Sequence, residues 1–405
     1  MAATATAPGN AAVGQVPTAQ QTTAGALPLG PFPRQSRKCQ EQAFGAAGLA
    51  YGALITQPLP SVGGFLRGFS VTVAGNAGVW SVAPTGVAPD APYNVITLIQ
   101  LRDSKGTPIV ILSGYDLMLV NLFGGQCGVN GTQNPAARPS FTPMALSTSS
   151  GAFRFHLFIP LELDSSGYCS FADMNASAPP KLSIQLNQLA SVWTGGTLTT
   201  APTITFTVNQ LYWAMVPAPN QDLAPPDIGS SAQWSEVEGG TQPGAGSNTR
   251  VRDNRVQTLI HTLIAVVRDS ANLRQGVFPA SDLTLWVDDS PWLNTQLLIE
   301  RYDELYGQFQ IVAGADGAQP LAQNGQLTNG VLVYSERDSV ETTLGGGTVS
   351  GADTHDGLLP TTNATKLEVG GTWGSGGTPP YTVTFITGEL FPANPAGIPW
   401  SHLAS

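Results

Sequence analysis

Apolar and polar residues alternate along most of this chain in short runs broken by glycine, proline, asparagine and aspartate. Alternation at period 2 sends successive side chains of a strand to opposite faces. Candidate strands fall at 65–73, 94–102, 107–112, 115–123, 153–161, 181–187 and 203–216, then at 258–269, 283–288, 331–335, 366–369 and 381–391. Asp103-Ser104-Lys105-Gly106 reads as a hairpin turn between two of them. A single segment has convincing helical spacing. Asp289 or Ser290 can cap it, Pro291 suits its first turn, and Leu293, Leu297, Leu298, Tyr302 and Leu305 form an apolar stripe before Gly307. The spacing predicts a helix over 292–306. Short strands with turn signals and little helical period indicate an all-β sandwich or jelly roll.

One passage occurs twice. Lys181-Leu182-Ser183-Ile184, Trp193, Gly195-Gly196-Thr197 and Thr203-Ile204-Thr205-Phe206 are matched by Lys366-Leu367-Glu368-Val369, Trp373, Gly376-Gly377-Thr378 and Thr382-Val383-Thr384-Phe385. Both read as strand, glycine-bearing loop, then an alternating Thr/apolar strand. The duplication predicts two β domains of one plan in tandem. The expected divisions are an extended N-terminal arm at 1–40, a first jelly roll at 41–217, a linker at 218–250, a second jelly roll at 251–393 and a tail at 394–405. Residues 1–33 carry no charged side chain and too few bulky apolar groups to fold alone. The linker assignment rests on the proline- and glycine-rich polar stretch after Pro217.

Composition sharpens this picture. With 405 residues the chain has room for two cores. Charged residues make up 11% of it, against about 25% in ordinary soluble proteins. So little charge leaves weak repulsion between copies and favours association. The net charge of −10, without a basic stripe, argues against nucleic-acid binding. Cys39, Cys127 and Cys169 form no CxxC pair and point to a reduced compartment rather than a disulfide framework, with a single bridge left open. No signal-peptide pattern and no long apolar run stands out, which predicts synthesis in a cytoplasm.

Candidate chemistry is sparse. His156, His261, His355 and His402 lack metal-ligand spacing, and no phosphate-cradling loop or nucleophile elbow is present. Asp288-Asp289 and Glu300, Asp303 and Glu304 suit the capping and solvation of the expected helix better than two carboxylates facing across a cleft. Trp193, Trp292 and Trp373 can anchor loops or offer sugar-stacking faces. No catalytic, cofactor or metal site follows. Arg34, Arg37 and Lys38, where the arm meets the first barrel, are the one cluster read as a contact to a membrane or a neighbouring subunit, against simple solvation.

The stretch 65–216 resembles the first jelly roll of tectivirus-type double jelly-roll major capsid proteins. The resemblance lies in Gly64-Phe65-Leu66-Arg67-Gly68-Phe69-Ser70-Val71-Thr72-Val73, Asn94-Val95-Ile96, Asp103 to Gly106, Ser113-Gly114-Tyr115-Asp116-Leu117 with Val120-Asn121, Phe158-Ile159-Pro160-Leu161, a short helical insert near Phe171 to Met174, Lys181 to Leu186, and Phe206-Thr207-Val208 through Tyr212 to Pro217. These segments come in the family's order. The second half is similar mainly through the expected flanking helix and the closing strands. The resemblance implies two eight-stranded jelly rolls with short flanking helices, a non-enzymatic major capsid subunit, and homotrimers acting as pseudo-hexameric tiles of an icosahedral shell over an internal membrane. It implies neighbouring capsomers, penton and minor capsid proteins as partners, and a bacterial virus whose subunits are made in the host cytoplasm. A carbohydrate-binding or glycoside-cleaving β-sandwich, or a minor capsid or spike protein, stands as the alternative.

Overall fold

The computed structural model describes residues 32, 36–124, 139–149, 151–163, 169–172, 179–214, 231–242, 248–274, 283–295, 330–335, 358–361, 363–372 and 380–391. In the first half the strands are β1 Arg37–Leu49, β2 Leu54–Pro58, β3 Gly64–Asn76, β4 Val79–Val82, β5 Gly86–Val87, β6 Ile96–Arg102, β7 Pro108–Leu112, β8 Phe153–Pro160, β9 Phe171–Ala172, β10 Lys181–Leu186, β11 Trp193–Thr194, β12 Thr197–Thr200 and β13 Thr203–Ala214. Helices α1 (Gly114–Phe123) and α2 (Leu189–Val192) interrupt them. The second half has β14 Ser231–Gln242, β15 Asn248–Asp253, β16 Leu259–Arg268, β17 Leu283–Val287, β18 Ser290–Thr295, β19 Val331–Ser335, β20 Leu359–Pro360, β21 Leu367–Thr372 and β22 Tyr381–Phe391.

The pairing repeats. In the first half one sheet runs β1-β13-β3-β8 and the other β2-β10-β6-β7; in the second half the sheets run β14-β22-β16-β19 and β15-β21-β17-β18. Each half is thus an eight-stranded jelly roll, and each of these eight strands has a counterpart in the other half. The sequence repeat falls on matching strands, β10 with β21 and β13 with β22. In β13, Ile204, Phe206 and Val208 are fully buried while the intervening threonines are half-buried, as period-2 alternation over one buried face requires.

The two barrels share a sheet. β7 pairs in parallel with β14 through Val110↔Trp234 and Ile111↔Ser235, which joins strands of both halves into one sheet. β16 is buried on both faces for this reason. Leu263, Ala265 and Val267 line the second barrel, whereas Ile264 and Val266 belong to the same apolar cluster as Met118, Leu119 and Leu122 of α1. Its near-continuous apolar run is the pattern of a strand covered twice.

Several expectations change. Residues 115–123 form α1 rather than a strand. Ser113 caps it, its hydroxyl accepting from Asp116 N at 3.1 Å while the Asp116 carboxylate accepts from Ser113 N at 3.2 Å. All ten residues of α1 are buried, so no helical stripe separates it from a strand in sequence. The 218–250 stretch read as linker holds β14, and the 1–40 arm overlaps β1, because backbone pairing with β22 and β13 outweighs their polar, glycine-bearing composition. Residues 290–295 form β18, paired with β17, where the helix was expected to begin; the rest of 292–306 lies outside the described residues. Phe171–Ala172 is a short strand on β3, not a helical insert.

Candidate functional site

Two places bring charged groups together. The first is the seam between the barrels. Asp269 folds a tight turn, its Oδ1 accepting from Ala271 N and Leu273 N at 2.9 Å each, and the turn brings Arg274 back beside Arg268. Both arginines then reach Asp90 of the first barrel, at 2.7 Å from Arg268 and 2.6 Å from Arg274. Arg274 also donates to Pro89 O at 3.2 Å. Below them lies the buried Tyr115 ring, 4.7 Å from the Arg274 guanidinium and 5.5 Å from that of Arg268. Burial holds the Tyr115 phenol well above its ordinary value.

A cleft of about 700 Å³ opens here, lined by Asp90, Ser113, Asp116, Glu236, Arg268 and Thr384 among others. Asp116 from α1 and Glu236 from β14 meet in it as a hydrogen-bonded carboxyl pair. Burial of the carboxyl and then the Asp116 charge push Glu236 up to about 8, against the pull of Arg268 and the Ser113 backbone, although the outer part of the residue reaches solvent. Glycoside cleavage needs carboxyls about 5–10 Å apart, wider than this hydrogen-bonded pair. The arrangement fits a proton shared across a joint. A folded-state value above the unfolded one gives stability that is complete below the ordinary carboxylate value of 4.5 and is lost as pH rises through about 8. Thermal midpoints are therefore expected to fall between about pH 5 and pH 9, with a shallower slope in Glu236→Gln. Asp253, raised to about 6 by burial, contributes with the same sign, so some slope remains. An unchanged slope in the variant would remove the pair from this role.

The second place is the foot of the first barrel, where β1 begins. Phe32 packs edge-on against Phe65 at 5.7 Å and Trp213 at 5.6 Å. Glu162, 1% exposed, pairs with Arg67 and accepts from Trp213 Nε1 at 3.1 Å. Lys38 lies over the Trp213 ring at 4.8 Å, with the Arg67 guanidinium 5.0 Å from the same ring. Burial, and then Arg67, lower the Lys38 pKa. Of the three basic residues expected here, Arg37 and Lys38 stand exposed on β1 and Arg34 lies outside the described residues.

The remaining candidates take structural positions. His156 shares a hydrogen bond with Ser70 Oγ at 2.6 Å across β8 and β3, and buried His261 meets Trp234 edge-on at 4.9 Å. Asp288 holds a turn, accepting from Thr365 N at 2.8 Å, Thr365 Oγ1 at 2.7 Å and Lys366 N at 3.1 Å, which lowers its pKa. Asp289 pairs with Lys366 at 2.8 Å. Trp193 is 3% exposed against Trp80 and offers no open face to a sugar. Cys39 is half-buried on β1 and Cys169 is buried. Cys127, His355, His402, Glu300, Asp303, Glu304, Trp373 and the Trp292 side chain lie outside the described residues. Among the described residues no group of three or more His, Cys, Asp or Glu is placed to hold a metal, and no helix is long and apolar enough to cross a membrane. Sequence reading missed Asp90, Asp116, Glu236, Arg268 and Arg274. Only the Ser113-to-Asp116 capping spacing marked one of them.

No family model and no curated protein matches the chain. Solved structures do. The STIV MCP is 13% identical, with 91% of this chain and 99% of that one covered at a TM-score of 0.60. A chain of the Sulfolobus Turreted Icosahedral Virus atomic structure is 14% identical, over 91% and 95%, at 0.59. A chain of the PBCV-1 virus capsid is 10% identical, over 88% and 93%, at 0.56. At such identities the likeness is one of architecture, and it spans both barrels: the chain has the double jelly-roll fold of viral capsid proteins.

Proposed function

We propose that this protein is the major capsid subunit of an icosahedral virus, with three copies forming a six-barrel tile. The observation that carries this is the edge-to-edge junction of two barrels of identical topology in one chain. A junction of that kind is head-to-tail, because it uses different edges of the two barrels, and such contacts close into rings when the rotation allows. The role is structural rather than enzymatic. It fits the low charge of the chain and the described residues His156, His261, Asp269 and Asp288, each held in a sheet or turn. By the same reading the subunit is made in a host bacterium's cytoplasm, and its partners are neighbouring tiles, penton and minor capsid proteins and an internal membrane.

On this reading Arg37 and Lys38, exposed at the start of β1, together with Arg34 just before them in the sequence, meet acidic neighbours or anionic headgroups. Light scattering of the purified full chain is expected to give a trimer, and removal of residues 1–31 a folded trimer that builds shells poorly. A monomer or dimer at micromolar concentration would sink the tile. Normal membrane-containing particles from the truncated chain would sink the role of the arm.

A further inference from the structure

Resting on the tile reading, the repeat assigns the surfaces that meet between chains. Inside the chain, β14 is flanked by β22 on one side and β7 on the other. Its counterpart β1 has β13 on one side and, among the described residues, no strand on the other. Likewise β7 lies between β6 and β14, while its counterpart β18 pairs with β17 alone among the described residues. Among the described residues, one chain therefore presents one edge of each kind that its internal junction consumes.

We propose that a second copy of this chain seats its β18 in parallel against the outer edge of β1, repeating between chains the contact that β7 makes with β14 within one. The register follows from the repeat. With Phe206 matched to Phe385, Asn209 falls on Gly388; their partners are Gln42 and Trp234. Val208 falls on Thr387, whose partners are Phe44 and Ser235. With Leu182 matched to Leu367, Leu101 falls on Val287 and their partners are Val110 and Ser290; one step on, Ile111 falls on Pro291. The internal pairs Trp234↔Val110 and Ser235↔Ile111 thus become Gln42 beside Ser290 and Phe44 beside Pro291 of the neighbouring copy.

The residue chemistry fits an assembly contact. Pro291 supplies no N–H, so this seam has fewer backbone bonds than the internal one, and the edge resists pairing with arbitrary strands. On the β13 and β3 part of the first barrel's outer face stand Thr72, Ala74, Thr205 and Thr207, none of them buried and none charged, with Arg154 and His156 beyond them on β8, the strand farthest from β1; the matching face of the second barrel is covered. A neutral face of small side chains can be covered by a neighbour without burying an unpaired charge.

The test is disulfide trapping in the full chain with Gln42→Cys and Ser290→Cys together, and with Phe44→Cys and Pro291→Cys as a second pair should the first fold poorly. Oxidation is expected to yield covalent dimers and trimers in a double variant and not in its single-site controls. A protein that sizes as a trimer yet gives no cross-link with either folded pair would overturn the seam and leave the tile intact. A monomer by light scattering would overturn the tile and the seam with it.

Discussion

Replacing Trp234 with alanine is expected to lower the stability of the chain by about 3–5 kcal/mol, the range for deleting a buried large aromatic ring. Trp234 is 1% exposed and sits on β14 at the shared sheet, edge-on to His261 and in the same cluster as α1. Gly388 leaves the space that the indole fills, since a Cβ there would run into His261 and Trp234. The indole N–H has no hydrogen-bond partner among the described residues, so its worth is packing alone. Trp234→Phe should accordingly retain more than half of the effect lost in the alanine variant. Urea unfolding followed by far-ultraviolet circular dichroism checks both. A change under about 0.5 kcal/mol, ordinary for a surface site, would show that the ring does not bolt the barrels together.

Arg67→Ala is expected to cost about 3–5 kcal/mol, because it strands the Glu162 carboxylate in a dry site. Glu162 has two supports, Arg67 and the Trp213 indole N–H, and burial already raises its pKa against their pull. With Arg67 gone the carboxyl takes up a proton more easily, so the variant should suffer less at pH 5 than at pH 8. Replacing both partners by methionine should recover most of the loss, since two apolar groups leave no uncompensated charge. If the single variant is as stable as the parent at pH 8, water reaches Glu162 and the pair is not buried in solution.

How much of this was legible in the chain depends on burial geometry. β13 and β22 were visible because each buries one face, which writes alternation into the sequence. α1 was misread because it buries every face and so has no stripe; its capping spacing at Ser113 and Asp116 was the better signal. β14 was hidden because Ser235-Glu236-Val237-Glu238-Gly239-Gly240 has few apolar residues, with Glu236 turned to the seam and a register break between Glu238 and Gly240. β1 was hidden by its alanines, glycines and glutamines. Of the seam itself only Asp116 left a mark in the sequence, through its capping spacing. Asp90, Asp116, Glu236, Arg268 and Arg274 come from distant segments, and only the pairing of β7 with β14 brings them together.

The pairing of β1 with β13 sets a waiting time during synthesis. Glu41 and Gln210, bonded across this ladder, are 169 positions apart. At about 5–20 residues per second, β1 leaves the ribosome roughly 8–35 s before its partner does. For that interval a 13-residue strand has no sheet to join. A run of valine and isoleucine exposed for so long would invite pairing between nascent chains. The glutamines, alanines and glycines of β1, which make it hard to recognise as a strand, let it wait without aggregating, and the first barrel closes only when the Thr/apolar strand that completes it has emerged.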